Sequence, residues 1–155
     1  MEYIKKELGA MKFIGIGKDT SINICSSDCP SIWKDFMAEY PKIKEIKNPE
    51  KMYGISIMKD SSDCSFRYIA AVEVEDIDEA GDFEGVSIPA GNYYVFTHKG
   101  GIDTLPLTYS SIMEEIKSSG MTQDYYWIEA YDERYQSNSS ESEFDILVPV
   151  LSIEK

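Results

Sequence analysis

Twice along the chain, an apolar strand-like run is followed by one helix-spaced stretch and then by two more strand-like runs. This repeated order limits the fold more than any single motif does. In the first half, Met11-Lys12-Phe13-Ile14-Gly15-Ile16 reads as a strand. Over residues 31 to about 46, Ile32, Trp33, Phe36, Met37, Tyr40 and Ile43 recur at steps of three and four, which predicts a helix. Asp28 or Ser31 is expected to cap its start near Pro30, and Pro41 to kink or end it. Residues 52–58 and 66–74 follow as strands joined by a polar turn at residues 59–63.

An acidic linker at residues 75–81 and the turn signal Pro89-Ala90-Gly91 precede the second round. Residues 92–98 read as a strand, and Lys99-Gly100-Gly101 as a break. Residues 104–119 read as a helix with Leu107, Ile112, Met113 and Ile116 on its apolar side and Gly120 as its stop. Strands at residues 125–132 and 144–151 close the round, joined by a polar loop at residues 136–142. The predicted fold is α+β: one domain of 155 residues built from half-repeats at about 2–76 and 83–152. The halves pair about a pseudo-twofold axis, with a mostly antiparallel sheet and two main helices flanking a central cleft, the kind of junction where ligands bind.

One strand carries the most chemistry. In Tyr125-Tyr126-Trp127-Ile128-Glu129-Ala130-Tyr131 successive side chains alternate faces, so Tyr125, Trp127, Glu129 and Tyr131 share one side. Tyr126, Ile128 and Ala130 take the other and are expected to pack on a core. A carboxylate among rings suits a flat, apolar or cationic molecule, because rings supply area and cation–π attraction while the carboxylate supplies charge. A plain alternative stays open: an exposed Glu on a strand whose rings cover the sheet.

Composition excludes other classes. The chain is 43% hydrophobic and 12% aromatic, which argues against disorder. Its 15 basic and 28 acidic residues give a net charge of −13, so direct nucleic-acid binding is not expected. No apolar run approaches the roughly 20 residues that span a bilayer, and no secretory signal opens the sequence, so a cytoplasmic location without membrane partners is expected. Cys25, Cys29 and Cys64 are an odd set, and the one histidine, His98, is distant from them. Reduced thiols are therefore expected, with no metal site and no cofactor. Gly100-Gly101 precedes a helix but lacks the other glycines and the Lys-Ser/Thr pair of a phosphate loop.

Several phrases together carry a family resemblance. They are Ile88-Pro89-Ala90-Gly91-Asn92-Tyr93 with Thr97-His98-Lys99-Gly100, then Trp127-Ile128-Glu129-Ala130-Tyr131-Asp132-Glu133-Arg134-Tyr135, then Ser142-Glu143-Phe144-Asp145-Ile146-Leu147-Val148-Pro149-Val150. In order and spacing, over about residues 2–152, they resemble the gyrase-inhibitor-like (GyrI-like) domain, the effector-binding domain of AraC- and MerR-type regulators. The resemblance implies two pseudo-symmetric halves around an aromatic-lined pocket containing a buried glutamate, which in multidrug-sensing members meets lipophilic cations. The family phrase "aromatic-x-Glu-x-Tyr" falls on Trp127, Glu129 and Tyr131. No DNA-binding segment precedes the module, so a stand-alone form is expected.

The candidate ligand-binding residues are Glu129, Trp127, Tyr131, Tyr94, Phe96, Tyr68, Phe66 and Trp33. Tyr93 is expected to be structural, as are Glu133, Arg134 and Glu143, and His98 lacks a Ser or Cys partner for catalysis. The leading reading is binding of a lipophilic, aromatic or cationic small molecule. One alternative, implied by stand-alone members of the family, is hydrolysis of cyclopropane-bearing alkylating compounds with Glu129 as the catalytic carboxyl. Another is an acidic inhibitor or shield of a protein partner such as gyrase.

Overall fold

A computed structural model of the chain describes residues 2–21, 24–58, 65–78, 80–118, 126–136 and 139–149. The predicted turn at residues 59–63, Cys64, Gly120, Tyr125 and the end of the last strand lie outside the described residues. Ten principal elements run in the order β1 (Ile4–Leu8), β2 (Met11–Ser21), α1 (Cys25–Glu39), β3 (Met52–Met58), β4 (Ser65–Val74), β5 (Glu84–Ile88), β6 (Gly91–Lys99), α2 (Leu105–Ser118), β7 (Tyr126–Tyr131) and β8 (Glu143–Pro149). Each half is thus strand-strand-helix-strand-strand, one strand more than the sequence pattern indicates. The extra strand β1 was hidden because its short IKKEL run is exposed and charged, as edge strands are.

The strands form one eight-stranded antiparallel sheet in the order β1-β6-β8-β7-β3-β4-β2-β5. Exchanging the halves reverses this order onto itself, so the expected pseudo-twofold axis passes between β3 and β7. The outer strands are traded: β1 pairs with β6 of the second half, and β5 with β2 of the first.

Strand alternation sorts the apolar residues onto two faces. On one face Phe13, Tyr53, Ile55, Ile69, Ala71, Tyr93, Val95, Tyr126, Ile128 and Leu147 form a buried cluster. Among the described residues no helix side chain joins it. Gly15 lets β2 and β4 approach closely: a Cβ there would run into the backbone of Ala70 on the neighbouring strand. On the other face Ile32 and Phe36 of α1 pack against β2 and β4, while Ile112 and Ile116 of α2 pack against Phe96, Trp127, Phe144, Ile146 and Val148. The helices therefore flank the middle of the sheet, where β3 meets β7.

Both helices depart from their predicted bounds for identifiable reasons. Cys25 and Cys29 pack beside Ile32 and Phe36 at helical spacing, so the apolar stripe, and with it α1, begins six residues before Ser31. Neither Asp28 nor Ser31 caps it. Ile24 occupies the N-cap without a side-chain bond, and the Asp28 carboxylate instead accepts from Thr20 (2.7 Å) and Lys18 (3.1 Å), fastening the helix to the end of β2. Pro41 ends the helix as expected, within a 3-10 turn at Tyr40–Lys42. In α2 the predicted Leu107 and Met113 face outward, 71% and 47% exposed. The inward stripe is Leu105, Tyr109, Ile112 and Ile116.

Candidate functional site

The antiparallel register lays one row of residues straight across the helix-covered face. Ile16 pairs with Ala70, Ala70 with Gly54, Gly54 with Glu129, Glu129 with Ile146, and Ile146 with Phe96. Directly paired residues share a face, so the row's only charge stands beside its smallest member, Gly54, with Ala70 next in line, at the seam between the halves.

Glu129 is 5% exposed, and among the described residues its hydrogen-bond partners are phenols. Its Oε1 accepts from Tyr68 on β4 (2.8 Å) and from Tyr131 on β7 (2.9 Å), and its Oε2 accepts from Tyr109 on α2. Tyr68 is held in turn, because its hydroxyl accepts from the Trp33 indole N–H on α1 at 2.8 Å. Rings close the remaining sides. Trp33 meets Tyr131 edge to face at 5.5 Å, Tyr109 lies 5.5 Å from Trp127, and Tyr131 lies 4.5 Å from Phe144 and 5.0 Å from Tyr135.

The electrostatics follow from this enclosure. Burial raises the Glu129 carboxyl above its ordinary pKa; the bonds from Tyr109, Tyr68 and Tyr131 pull it back down, and so does the more distant His98. Burial, followed by the nearby Glu129 charge, holds the hydroxyls of Tyr68, Tyr109 and Tyr131 well above the usual tyrosine range, so they act as donors. Cys29 on α1 feels the same surroundings. Burial, with Cys25, Glu129 and Asp28 behind it, pushes its thiol up to about 12. Among the described residues no Lys or Arg forms an ion pair with Glu129. This is a dry carboxylate satisfied by hydroxyl groups and not by a counter-charge.

The structure brings five of the eight candidate residues together: Glu129, Tyr131, Tyr68, Trp33 and Trp127. The other three lie on the same face, farther out. Phe66 packs under α1. Tyr94 and Phe96 lie two strands away from Glu129, on β6, where both rings pack against Tyr3 at 5.1 and 5.4 Å. His98 braces the start of α2, its Nε2–H donating to the Gly101 carbonyl at 2.9 Å and its Nδ1 meeting the Thr108 hydroxyl at 2.6 Å. Tyr93 is structural, its hydroxyl bonded to that of Tyr126 on the helix-free face at 3.1 Å. Arg134 bridges Asp132 and Asp145, both at 2.9 Å, and so stiffens the turn after β7.

Sequence reasoning missed two residues of the site. Tyr109 had a legible signal, since Leu105, Tyr109, Ile112 and Ile116 follow the 4-3-4 spacing of a helix stripe. Gly54 also had one, because a glycine inside a strand marks close approach by another group.

Comparison with known proteins agrees with this architecture. Residues 1–151 match the family model described as the GyrI-like small molecule binding domain. The chain belongs to the GyrI-like family. Among characterised relatives, the transcriptional regulator BrlR of Pseudomonas aeruginosa is 25% identical over 125 residues, covering 77% of this chain and 45% of BrlR. The chain thus spans less than half the length of that regulator. The structure of SAV2435 bound to tetraphenylphosphonium superposes with a TM-score of 0.79 at 15% identity, over 98% of this chain and 95% of that one. The chain in the EcmrR–DNA complex gives 0.72 at 17% identity, over 98% of this chain and 58% of EcmrR. Like these, the chain is a GyrI-like α+β fold, and its membership makes it a small-molecule-binding domain. No described helix is long and apolar enough to cross a membrane.

Proposed function

We propose that this GyrI-like domain binds a lipophilic, aromatic cation at the seam between its halves, with Glu129 as the counter-charge. One observation carries the reading: a buried carboxylate walled by rings and held, among the described residues, by tyrosine hydroxyls. A buried ion without an opposite charge is costly, so a cation that enters recovers Coulomb energy which the empty site forgoes. The rings of Trp33, Trp127 and Tyr131 then supply stacking area and cation–π attraction. The tetraphenylphosphonium described for SAV2435 is a molecule of this kind.

The order of displacement also follows. Oε1 is bound twice, by tyrosines rooted in the sheet, whereas Oε2 is bound once, by a tyrosine on a helix. The cation approaches Oε2 and takes the place of the Tyr109 hydroxyl. The proposed location is the cytoplasm, where the thiols of Cys25 and Cys29 stay reduced.

The test is calorimetric titration with tetraphenylphosphonium and with neutral triphenylphosphine oxide, on wild type and Glu129→Gln. Loss of the charge weakens the cation about a hundredfold and leaves the neutral compound unchanged. Equal cation affinity in a folded Glu129→Gln protein refutes the assignment.

A further inference from the structure

The hydrogen bond between Tyr68 and Glu129 spans an unusual distance for a sheet. Tyr68 is on β4 and Glu129 on β7, with β3 between them. Strands lie about 4.8 Å apart, so the phenol must lean across the whole width of β3, more than 9 Å from its own strand to that of its acceptor. Tyr68 is itself paired with Ser56, so it reaches Glu129 diagonally, over the next same-face position of β3. That position is Gly54, which pairs with Ala70 on one side and with Glu129 on the other. A Cβ at Gly54 would collide with the Tyr68 hydroxyl and come within 2.6 Å of Glu129 Oε1. Any larger residue there would force the Tyr68 hydroxyl or the Glu129 carboxylate to shift.

We infer that Gly54 is a positioning residue of the binding site: its missing side chain is the opening through which Tyr68 crosses β3 to hold Glu129, and it thereby sets the charge selectivity of the pocket. The inference rests on Glu129 as the counter-charge for the ligand. A carboxylate binds a cation only when ionised, and the bond from Tyr68 is one of three that favour the ionised form. The groups facing Glu129 are Tyr68 from β4, Tyr131 from β7, Tyr109 from α2 and Cys29 from α1, with His98 on β6 acting from farther off. All are unchanged in a Gly54 variant, so a change in the pH profile relative to wild type reports the position of Tyr68. Ala70, the next small residue in the row, already carries a Cβ, which leaves Gly54 as the sole gap in line with the carboxylate.

The experiment compares wild type, Gly54→Ala, Tyr68→Phe and the double variant by tetraphenylphosphonium titration from pH 5 to 8. Gly54→Ala and Tyr68→Phe each move the midpoint of cation binding to higher pH and weaken binding about tenfold on its acid side. The double variant does no worse than either single one, because both remove the same bond. A purely structural defect lowers affinity equally at every pH and adds to Tyr68→Phe; either result overturns the inference. Tyr68→Phe introduces no clash, so it fixes the expected profile even if Gly54→Ala folds poorly. A second readout requires no ligand. The indole N–H resonance of Trp33, assigned with Trp33→Phe, shifts in Gly54→Ala as it does in Tyr68→Phe, since Trp33 donates to the displaced hydroxyl. If wild type binds no cation, the reading of Glu129 fails while the indole still decides the geometry. An unmoved indole in Gly54→Ala overturns the positioning role.

Discussion

Tyr109→Phe is expected to make the protein less stable and a better binder at once. The phenol donates to Glu129 Oε2 from α2, and the acceptor is buried. A hydrogen bond to a charged group contributes about 1.5–3 kcal/mol, and removing the donor leaves Oε2 without that partner. Taking about 2 kcal/mol, a domain of this length loses roughly 4–8 °C in Tm. In the proposed bound state the same bond is already broken, because the cation would occupy its place. At a pH where Glu129 is ionised in both proteins, wild type must therefore spend about 2 kcal/mol that the variant does not, so tetraphenylphosphonium binds Tyr109→Phe about thirtyfold more tightly. Tyr131→Phe is the matched control. It removes a comparable bond from Oε1 (2.9 Å), which the ligand does not displace, so at the same pH it lowers stability without the gain in cation affinity. Thermal unfolding and calorimetry on the two variants settle the matter. If Tyr109→Phe binds the cation no more tightly than Tyr131→Phe at that pH, the approach through Oε2 is wrong.

The ionisation of Glu129 predicts a stability trend with a definite sign. Its carboxyl is raised in the folded state, so its contribution is fully present below the unfolded carboxyl pKa and fades as pH rises through the folded value. The difference in Tm between wild type and Glu129→Gln, followed from pH 4 to 8, should move steadily against wild type; a flat difference contradicts a raised carboxyl. Cys29, with its thiol near 12, should react with iodoacetamide at pH 8 roughly a thousandfold more slowly than an ordinary thiol, judged by thiolate fraction. Mass spectrometry of the peptide carrying Cys29 measures this, and rapid labelling would show that the seam is open in solution. Gly54→Ala should lose the Trp33–Tyr68 signature described above.

What the sequence disclosed follows from what alternation and periodicity can encode. Parity placed Trp127, Glu129 and Tyr131 on one face of β7 and Tyr126 and Ile128 on the other, and the structure agrees. Parity says nothing about distance across a sheet. Tyr94, Phe96 and Phe66 share the face of Glu129, yet strand order, which the pattern does not specify, sets Tyr94 and Phe96 two strands from it. Tyr109 escaped notice because Leu107 and Met113 are more apolar, although both prove exposed. A hydroxyl that seeks a buried acceptor is not visible to an apolar stripe. Gly54 was passed over for a similar reason, since a residue that matters by occupying no space leaves no mark on hydrophobic patterning. The early start of α1 shows the reverse error, with Cys25 and Cys29 weighed for chemistry when they pack as small apolar side chains.

The traded outer strands restrict how a guest can enter. First-half strands lie on both sides of the second-half block, and the reverse is equally true. Prising the molecule apart along its midline would also have to peel β1 from β6 and β5 from β2, breaking ladders at both margins. An interlocked floor of this kind does not work as a jaw. On the proposed reading, a guest reaches the acid from the helix-covered face, while the eight strands stay paired beneath.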